Sequence, residues 1–194
     1  MRSTITVRAG SSKTMAVLCW LGCAAVLVTV ALNGGAAELA AYGAVPVAAA
    51  ALVWAVFWEP HVTVDRDGVC LANVWRTIRV PWSLLESVDT RWGLRLHTSG
   101  KRYSSWAVPA RSRYRPGDRN SRHPEPDLLE VPDGEERIVS ADSEQIGRVI
   151  ETRLLGGAAS GAAEDQVSTT LNTRPIAVVL GTAAVAALTV TLLG

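Results

Sequence analysis

Residues 62–69 read Val62-Thr63-Val64-Asp65-Arg66-Asp67-Gly68-Val69, a run in which apolar and polar side chains alternate before an Asp-Gly pair. Alternation with a period of two predicts a strand with one buried face. Asp-Gly is a strong signal for the turn of a β-hairpin. Because Leu71 continues the alternation beyond the turn, the stretch predicts two antiparallel strands joined near Gly68.

The same pattern continues downstream. Ile78, Val80 and Trp82 alternate with more polar positions, and Pro81, which has no backbone N–H, marks a strand end or a sheet edge. Ser83, followed three residues later by Glu, matches a capping box, which predicts one helical turn over residues 82–87.

A further hairpin is predicted around residues 99–101, where Ser-Gly-Lys follows Leu94 and Leu96. Its return strand, residues 103–108, places Trp106 and Val108 on one face. The expected structural anchors of the sheet are Gly68, Pro81, Trp82 and Trp106.

The last element of this region is a predicted helix. Ile146, Val149, Ile150 and Leu154 recur at helical spacing, and Gly156 with the glycine after it stops the pattern. The apolar stripe needs a surface to cover, and the open side of the sheet is nearest. The predicted fold class is therefore membrane α-helices plus an α+β soluble domain, an antiparallel sheet or half-barrel closed by one C-terminal helix.

Three apolar segments flank the domain, and none of them contains Asp, Glu, Lys or Arg. They cover residues 14–32, 39–58 and 175–193. Each approaches the roughly 20 residues that a helix needs to cross about 30 Å of hydrocarbon. The expected order along the chain is a basic arm (1–13), the first span, an external turn (33–38), the second span, the domain (59–156), a flexible tether (157–174) and the third span.

Charge predicts the orientation. Arg2, Arg8 and Lys13 precede the first span without an acidic residue, and the turn over 33–38 has no basic residue. By the positive-inside rule the arm and the domain are cytoplasmic, and the C-terminus is external, in a multi-pass protein of the cell membrane. The alternative is a cleavable signal peptide, although the apolar run exceeds the usual 7–15 residues.

Residues 109–137 form a long charged loop. Residues 91–122 hold nine basic residues against one acid, whereas residues 125–151 hold nine acids against two arginines. One interpretation is a solvated loop whose halves compensate. The other is a basic flap near an anionic membrane, where each Lys or Arg contributes about 1 kcal/mol.

Nothing in the sequence predicts catalysis, a metal or a cofactor. His61, His97 and His123 lack metal-ligand spacing, and phosphate-loop and nucleophile-elbow patterns are absent. The net charge of +1 gives no reason to expect nucleic acid. The expected contacts to an anionic ligand are arginines thought to point away from the apolar strand faces, namely Arg76, Arg79, Arg95 and Arg102.

The chain resembles bacterial PH-like membrane proteins of the actinobacterial low-molecular-weight protein antigen 6 type. The resemblance is carried by residues 62–69, by Arg76-Thr77-Ile78-Arg79-Val80-Pro81-Trp82-Ser83, by Ser99-Gly100-Lys101-Arg102 and by Trp106-Ala107-Val108-Pro109. It implies a PH-like fold beside the membrane and supplies no catalytic residue. The long charged loop and the third span depart from the family pattern.

The sequence thus favours a non-catalytic, membrane-anchored module that recruits or regulates an unidentified protein partner. Two alternatives stay open. One is an accessory subunit of a membrane or envelope complex, held through small residues such as Ala177 and Gly181 on its helices. The other is binding of anionic lipid headgroups by the basic residues of 91–122.

Overall fold

The computed structural model describes residues 4–8, 10–108, 136–139, 143–156 and 166–193. It divides into two compact units. The β-unit holds the described residues of Met1–Ala9 and His61–Thr170, and the helical unit holds those of Gly10–Pro60 and Leu171–Gly194.

The helical unit consists of apolar helices. They are α1 (Gly10–Tyr42), α2 (Ala44–Val53), a π-helical turn (Trp54–Trp58) and α4 (Thr173–Leu193). Helix α1 is interrupted at Gly35, whose φ of 66° and ψ of −158° are not helical. Glycine adopts this conformation without the steric cost that a side chain would add.

The chain folds back at this glycine. The Trp20 indole Nε1 donates a hydrogen bond to the Ala50 carbonyl oxygen at 3.0 Å, and the two residues lie equally far from Gly35 in sequence. A helix rises about 1.5 Å per residue, so an unbroken α1 would carry Tyr42 about 33 Å from Trp20. The contact therefore requires a helical hairpin, and its bend lies within the turn predicted for 33–38.

Helix α2 packs against both α1 and α4. A Cβ added at Gly181 on α4 would meet nothing within 4 Å among the described residues, so this position is open. Its expected use, packing against a helix of another subunit, stays a prediction.

The larger sheet of the β-unit has six strands in the order β8-β1-β2-β3-β4-β9. Their bounds are β1 Thr4–Val7, β2 His61–Val64, β3 Gly68–Ala72, β4 Arg76–Pro81, β8 Glu136–Val139 and β9 Ser168–Leu171. Neighbours from β1 to β4 are antiparallel, whereas β1 and β8 are parallel. The predicted strands around Gly68 are present, with Val62 and Val64 buried.

Two stretches outside the predicted strands contribute to this sheet. Thr4–Val7 lies within the predicted basic arm, and it pairs with β2 through Ile5 and Val64, and through Val7 and Val62. Ser168–Leu171 lies within the predicted flexible tether and neighbours β4. Backbone pairing therefore orders these parts of the arm and the tether. Residues 109–135 of the charged loop lie outside the described residues.

The smaller sheet has the order β5-β6-β7, with β5 Leu85–Asp89, β6 Arg95–Thr98 and β7 Lys101–Ser104. A 3₁₀ turn, Trp82–Leu84, precedes β5. The helical turn predicted over residues 82–87 therefore ends early. Its N-cap is Pro81, and no side chain caps it, so the expected Ser83 capping box does not form.

One apolar core receives side chains from both sheets and from helix α3 (Ser143–Leu155). Ile146, Val149 and Ile150 are buried in it, as the helical spacing predicted. Strand β1 supplies Ile5 and Val7, which are also fully buried. The N-terminal strand is therefore part of the core of the β-unit.

Gly147 lets α3 approach β5 closely. A Cβ at this position would run into the Thr90 side chain, with Val88 Cγ1 at 3.9 Å. On the same contact, the Ser143 hydroxyl donates to the Thr90 carbonyl oxygen at 3.3 Å. The spacing between helix and sheet thus depends on a residue without a side chain.

We expect Gly147→Val to lower the free energy of unfolding by about 1–3 kcal/mol, because overpacking forces α3 away from Thr90. Thermal unfolding of the full chain in detergent measures the change. The control is Glu151→Val, which adds the same side chain on the exposed face of α3. Equal unfolding temperatures for the two variants would show that the helix does not depend on this contact.

Candidate functional site

The four arginines expected to contact an anionic ligand do not form one cluster. Arg76 and Arg79 lie on β4 of the larger sheet, and Arg95 and Arg102 lie on β6 and β7 of the smaller sheet. Successive residues of a strand face opposite sides, so Arg76 and Arg79, three positions apart, lie on opposite faces. Their expected common orientation is therefore wrong for this pair.

Arg79 is engaged by two carboxylates. Its Nη2 lies 2.8 Å from Asp65 Oδ2 and 3.4 Å from Asp67 Oδ2. Asp65 also closes the turn, since its Oδ1 accepts the backbone N–H groups of Asp67 at 2.9 Å and Gly68 at 3.0 Å. The aspartates thus serve the turn, and the charge of Arg79 is compensated within the fold.

Three of the expected anchors meet at this turn. Gly68 pairs with Pro81, and a Cβ on Gly68 would collide with the Val80 carbonyl oxygen. Trp82 is 3% exposed, and its indole Nε1 donates to the Asp65 carbonyl oxygen at 3.1 Å. Backbone pairing and one hydrogen bond therefore hold the hairpin turn, Pro81 and the buried Trp82 indole together at one end of the larger sheet. We call this end of the larger sheet the distal end.

Two groups near Asp65 have shifted pKa values. Burial raises the pKa of the Cys70 thiol, and the Arg79 charge opposes this in part. Burial lowers the pKa of the Arg153 guanidinium, and the Asp65 carboxylate opposes that shift. A thiol with a raised pKa is a weaker nucleophile at neutral pH, so Cys70 is suited to packing.

Among the described residues, no group of three or more His, Cys, Asp or Glu side chains is placed to hold a metal ion. His97 lies on β6, where its Nε2 is buried without a hydrogen-bond partner in the described structure.

Sequence reasoning missed a different feature, a set of exposed tryptophans on three separate loops. Trp75 is 48% exposed in the β3–β4 turn, Trp92 is 75% exposed in the β5–β6 loop, and Trp106 is 63% exposed after β7. We call these three residues the tryptophan rim. Trp106 was expected to be a buried anchor, and that is wrong. The chain leaves the sheet at Ser104, so the strand alternation does not reach Trp106.

Hydrogen bonds hold the three loops together. The Asn73 amide Nδ2 donates to the Ser104 carbonyl oxygen at 3.0 Å, and the Trp106 backbone N–H donates to Asn73 Oδ1 at 2.6 Å. The Ser105 backbone N–H donates to the Leu94 carbonyl oxygen at 2.9 Å. Each rim tryptophan therefore lies within two residues of a backbone or side chain in this network.

The rim lies at the end of the larger sheet opposite the Asp65 turn. Val7 pairs with Val62 and His61 pairs with Ala72, so β1 ends, β2 begins and β3 ends at this edge. We call it the proximal end. Only two residues separate Val7 from the start of α1, and only two separate the π-helical turn from His61. Exposed Arg76 and Arg91 stand directly beside Trp75 and Trp92.

We expect Asp65→Ala to lower the free energy of unfolding by about 1–3 kcal/mol, because it leaves the backbone N–H groups of Asp67 and Gly68 without their acceptor and removes the shorter of the two ion pairs of Arg79. Thermal unfolding of the full chain is the measurement. Asp67→Ala is the matched control, since Asp67 is exposed and its ion pair is worth about 0–1 kcal/mol. If Asp67→Ala destabilises the protein as much as Asp65→Ala, the turn is not held by Asp65.

Comparison with known proteins gives one family. The model of the family described as Bacterial PH domain matches residues 59–149. No curated protein and no solved structure matches the chain. The matched segment contains strands β2–β8 and the first half of α3. Together with the antiparallel sheets and the helix that shares their core, the match supports a bacterial PH-like domain over residues 59–149.

Proposed function

We propose that this chain is a non-catalytic interaction module, anchored in the cell membrane, whose PH-like domain recruits or regulates a protein partner at the cytoplasmic face. The match over residues 59–149 supports the domain type. PH-like folds serve many binding functions, so the partner has to be argued from the site and not from the fold. The resemblance to the antigen 6 group remains a prediction.

The observation that carries the topology of this proposal is the pairing of β1 with β2. Thr4–Val7 and His61–Val64 are neighbours in one sheet, although the apolar helices α1 and α2 lie between them in sequence. Two segments of one sheet lie on the same side of any membrane. The chain between them must therefore cross an even number of times, and a helical hairpin folded at Gly35 satisfies this.

Helix length is consistent with three crossings. Ser12–Tyr42 and Thr173–Leu193 are long and apolar enough to span a membrane by length and composition, and Ala44–Trp58 is a shorter apolar helix. Beyond the bend at Gly35 the chain is helical, apart from a turn at Gly43, to Trp58. Residues 36–58 then extend about 34 Å, against about 30 Å of hydrocarbon.

Basic and aromatic side chains support a cytoplasmic orientation. Lys13 Nζ lies 5.7 Å from the Trp58 ring centroid, and Arg174 Cζ lies 5.7 Å from that of Trp54. Both cations stand at helix ends that continue into strands of the β-unit. Tryptophan favours the headgroup layer and Lys or Arg favours the cytoplasmic side, so these pairs would anchor the helices there.

A second candidate function is binding of anionic headgroups by the basic residues of 91–122. The described members are Arg91, Arg95, Lys101 and Arg102, and β6 and β7 place Arg95 and Arg102 on one face with His97. This function would be salt-sensitive, because exposed charges are screened over about 8 Å at physiological ionic strength. An accessory-subunit role also remains open, with the surface around Gly181 as a place for another helix.

We expect an N-terminal epitope tag and the PH-like domain to show the same protease accessibility in any membrane preparation. In spheroplasts both should be protected, whereas a tag after residue 194 should be digested from outside. The readout is immunoblotting with and without detergent. Opposite accessibility of the N-terminal tag and the domain would contradict the β1–β2 pairing, and digestion of both from outside would overturn the cytoplasmic orientation.

A further inference from the structure

We infer that the tryptophan rim, Trp75, Trp92 and Trp106, together with Arg76 and Arg91, is a membrane-contact surface that seats the PH-like domain in the headgroup layer of an anionic phospholipid bilayer. This inference rests on the proposed membrane anchoring. The surface that touches lipid consists of three loops of the domain and the first residue of β4.

The three rim tryptophans are 48–75% exposed at one end of the domain, whereas Trp82, at the distal end, is buried. An indole has a large apolar body and one N–H donor, so it is favoured where one part is dry and another is wet. Three exposed tryptophans on loops that hydrogen bonds join indicate a surface that a protein or a membrane covers.

Strand β1 ends at Val7 and α1 begins at Gly10, and the π-helical turn ends at Trp58 while β2 begins at His61. Each of these two connections consists of three Cα–Cα steps, which span at most about 11 Å. If the apolar helices cross a bilayer, the proximal end of the sheet must lie close to its surface, and the rim lies at that end. The covering environment is therefore the bilayer interface.

Arg76 follows Trp75, and Arg91 precedes Trp92, and both side chains are exposed. Guanidinium groups bind phosphate with several donors in a fixed geometry. A tryptophan beside an arginine thus offers a ring for the acyl boundary and a cation for the phosphate. The distal end differs, because Arg79 there is paired with Asp65.

The two ends of the sheet provide a matched experiment. Cys19, Cys23 and Cys70 are replaced by alanine, and one cysteine is introduced by Arg76→Cys at the rim or by Arg66→Cys in the exposed distal turn. Each protein is labelled with an environment-sensitive fluorophore and reconstituted in vesicles of phosphatidylcholine and phosphatidylglycerol. Quenching by lipids that carry a nitroxide near the headgroup reports lipid contact. We expect strong quenching at position 76 and little at position 66.

The tryptophans are tested in the Arg76→Cys background. Replacing Trp75, Trp92 and Trp106 by serine should reduce the quenching at position 76 at least twofold. Replacement of the same three residues by tyrosine, which also favours the interface, should retain it. Circular dichroism and size exclusion in detergent confirm that both variants fold. Unchanged quenching in the serine variant would overturn the inference, since the domain would then be held near lipid by its connectors alone.

Failure of the anchoring itself is separable. A label introduced by Val26→Cys, on an exposed position of α1, should be quenched by lipids with a nitroxide deep in the acyl chain. If position 26 is not quenched, the proposed anchoring fails. If position 26 is quenched and position 76 is not, the anchoring stands and the rim does not touch lipid, which would instead assign this surface to a protein partner.

Discussion

Backbone hydrogen bonding between β1 and β2 is the constraint on which the rest of the structure depends. The pairing joins Thr6 to Thr63, 57 positions apart, across the apolar helices. Long-range pairing requires the intervening chain to return to its starting point. A bend near the middle of that chain achieves this, and Gly35 provides it with a backbone conformation that glycine tolerates well. The bend at Gly35 therefore allows β1 to pair with β2.

The same pairing completes the core. Ile5 and Val7 are fully buried beside residues from β2, β3, β4 and α3. Without β1, the N–H and C=O groups along one edge of β2 would be exposed, and an exposed edge invites pairing with other chains. β1 is covered in turn by β8, and the other side of the sheet continues through β9. The segments before α1 and before α4 are therefore used to extend the sheet.

Local pattern was enough to predict the strands of the central hairpins and the apolar stripe of α3. Within the hairpin strands the buried residues recur at every second position, as Val62 and Val64 do, and as Val69 and Leu71 do. In α3 the buried residues follow helical spacing, at Ile146, Val149 and Ile150. Strand β1 also alternates Thr, Ile, Thr and Val, residues favoured in sheets. Its run is only four residues long beside Arg8, and its partner is far away in sequence. Nothing local distinguishes such a run from a polar arm.

Contacts between distant parts of the chain set a second limit on what local pattern can predict. Glycine is unfavourable within a helix, and the reason for Gly147 is evident only in the structure, where the Thr90 side chain lies opposite it. Trp106 was expected to share a buried strand face with Val108, but β7 ends at Ser104, and Trp106 is exposed whereas Val108 is buried. The rim could not be predicted, because its members come from three loops that Asn73 and Leu94 bring together through hydrogen bonds.

Polarity is distributed unequally between the two ends of the sheet. At the distal end Trp82 Nε1 donates to the Asp65 carbonyl oxygen, and Arg79 pairs with two carboxylates. At the proximal end the three rim tryptophans, Arg76 and Arg91 are exposed. Exposing three indoles to bulk water costs free energy that burial would recover, about 25 cal/mol per Å² of apolar surface. A surface of this composition is stable in an environment that solvates rings and cations together, and the headgroup layer of a bilayer has that property.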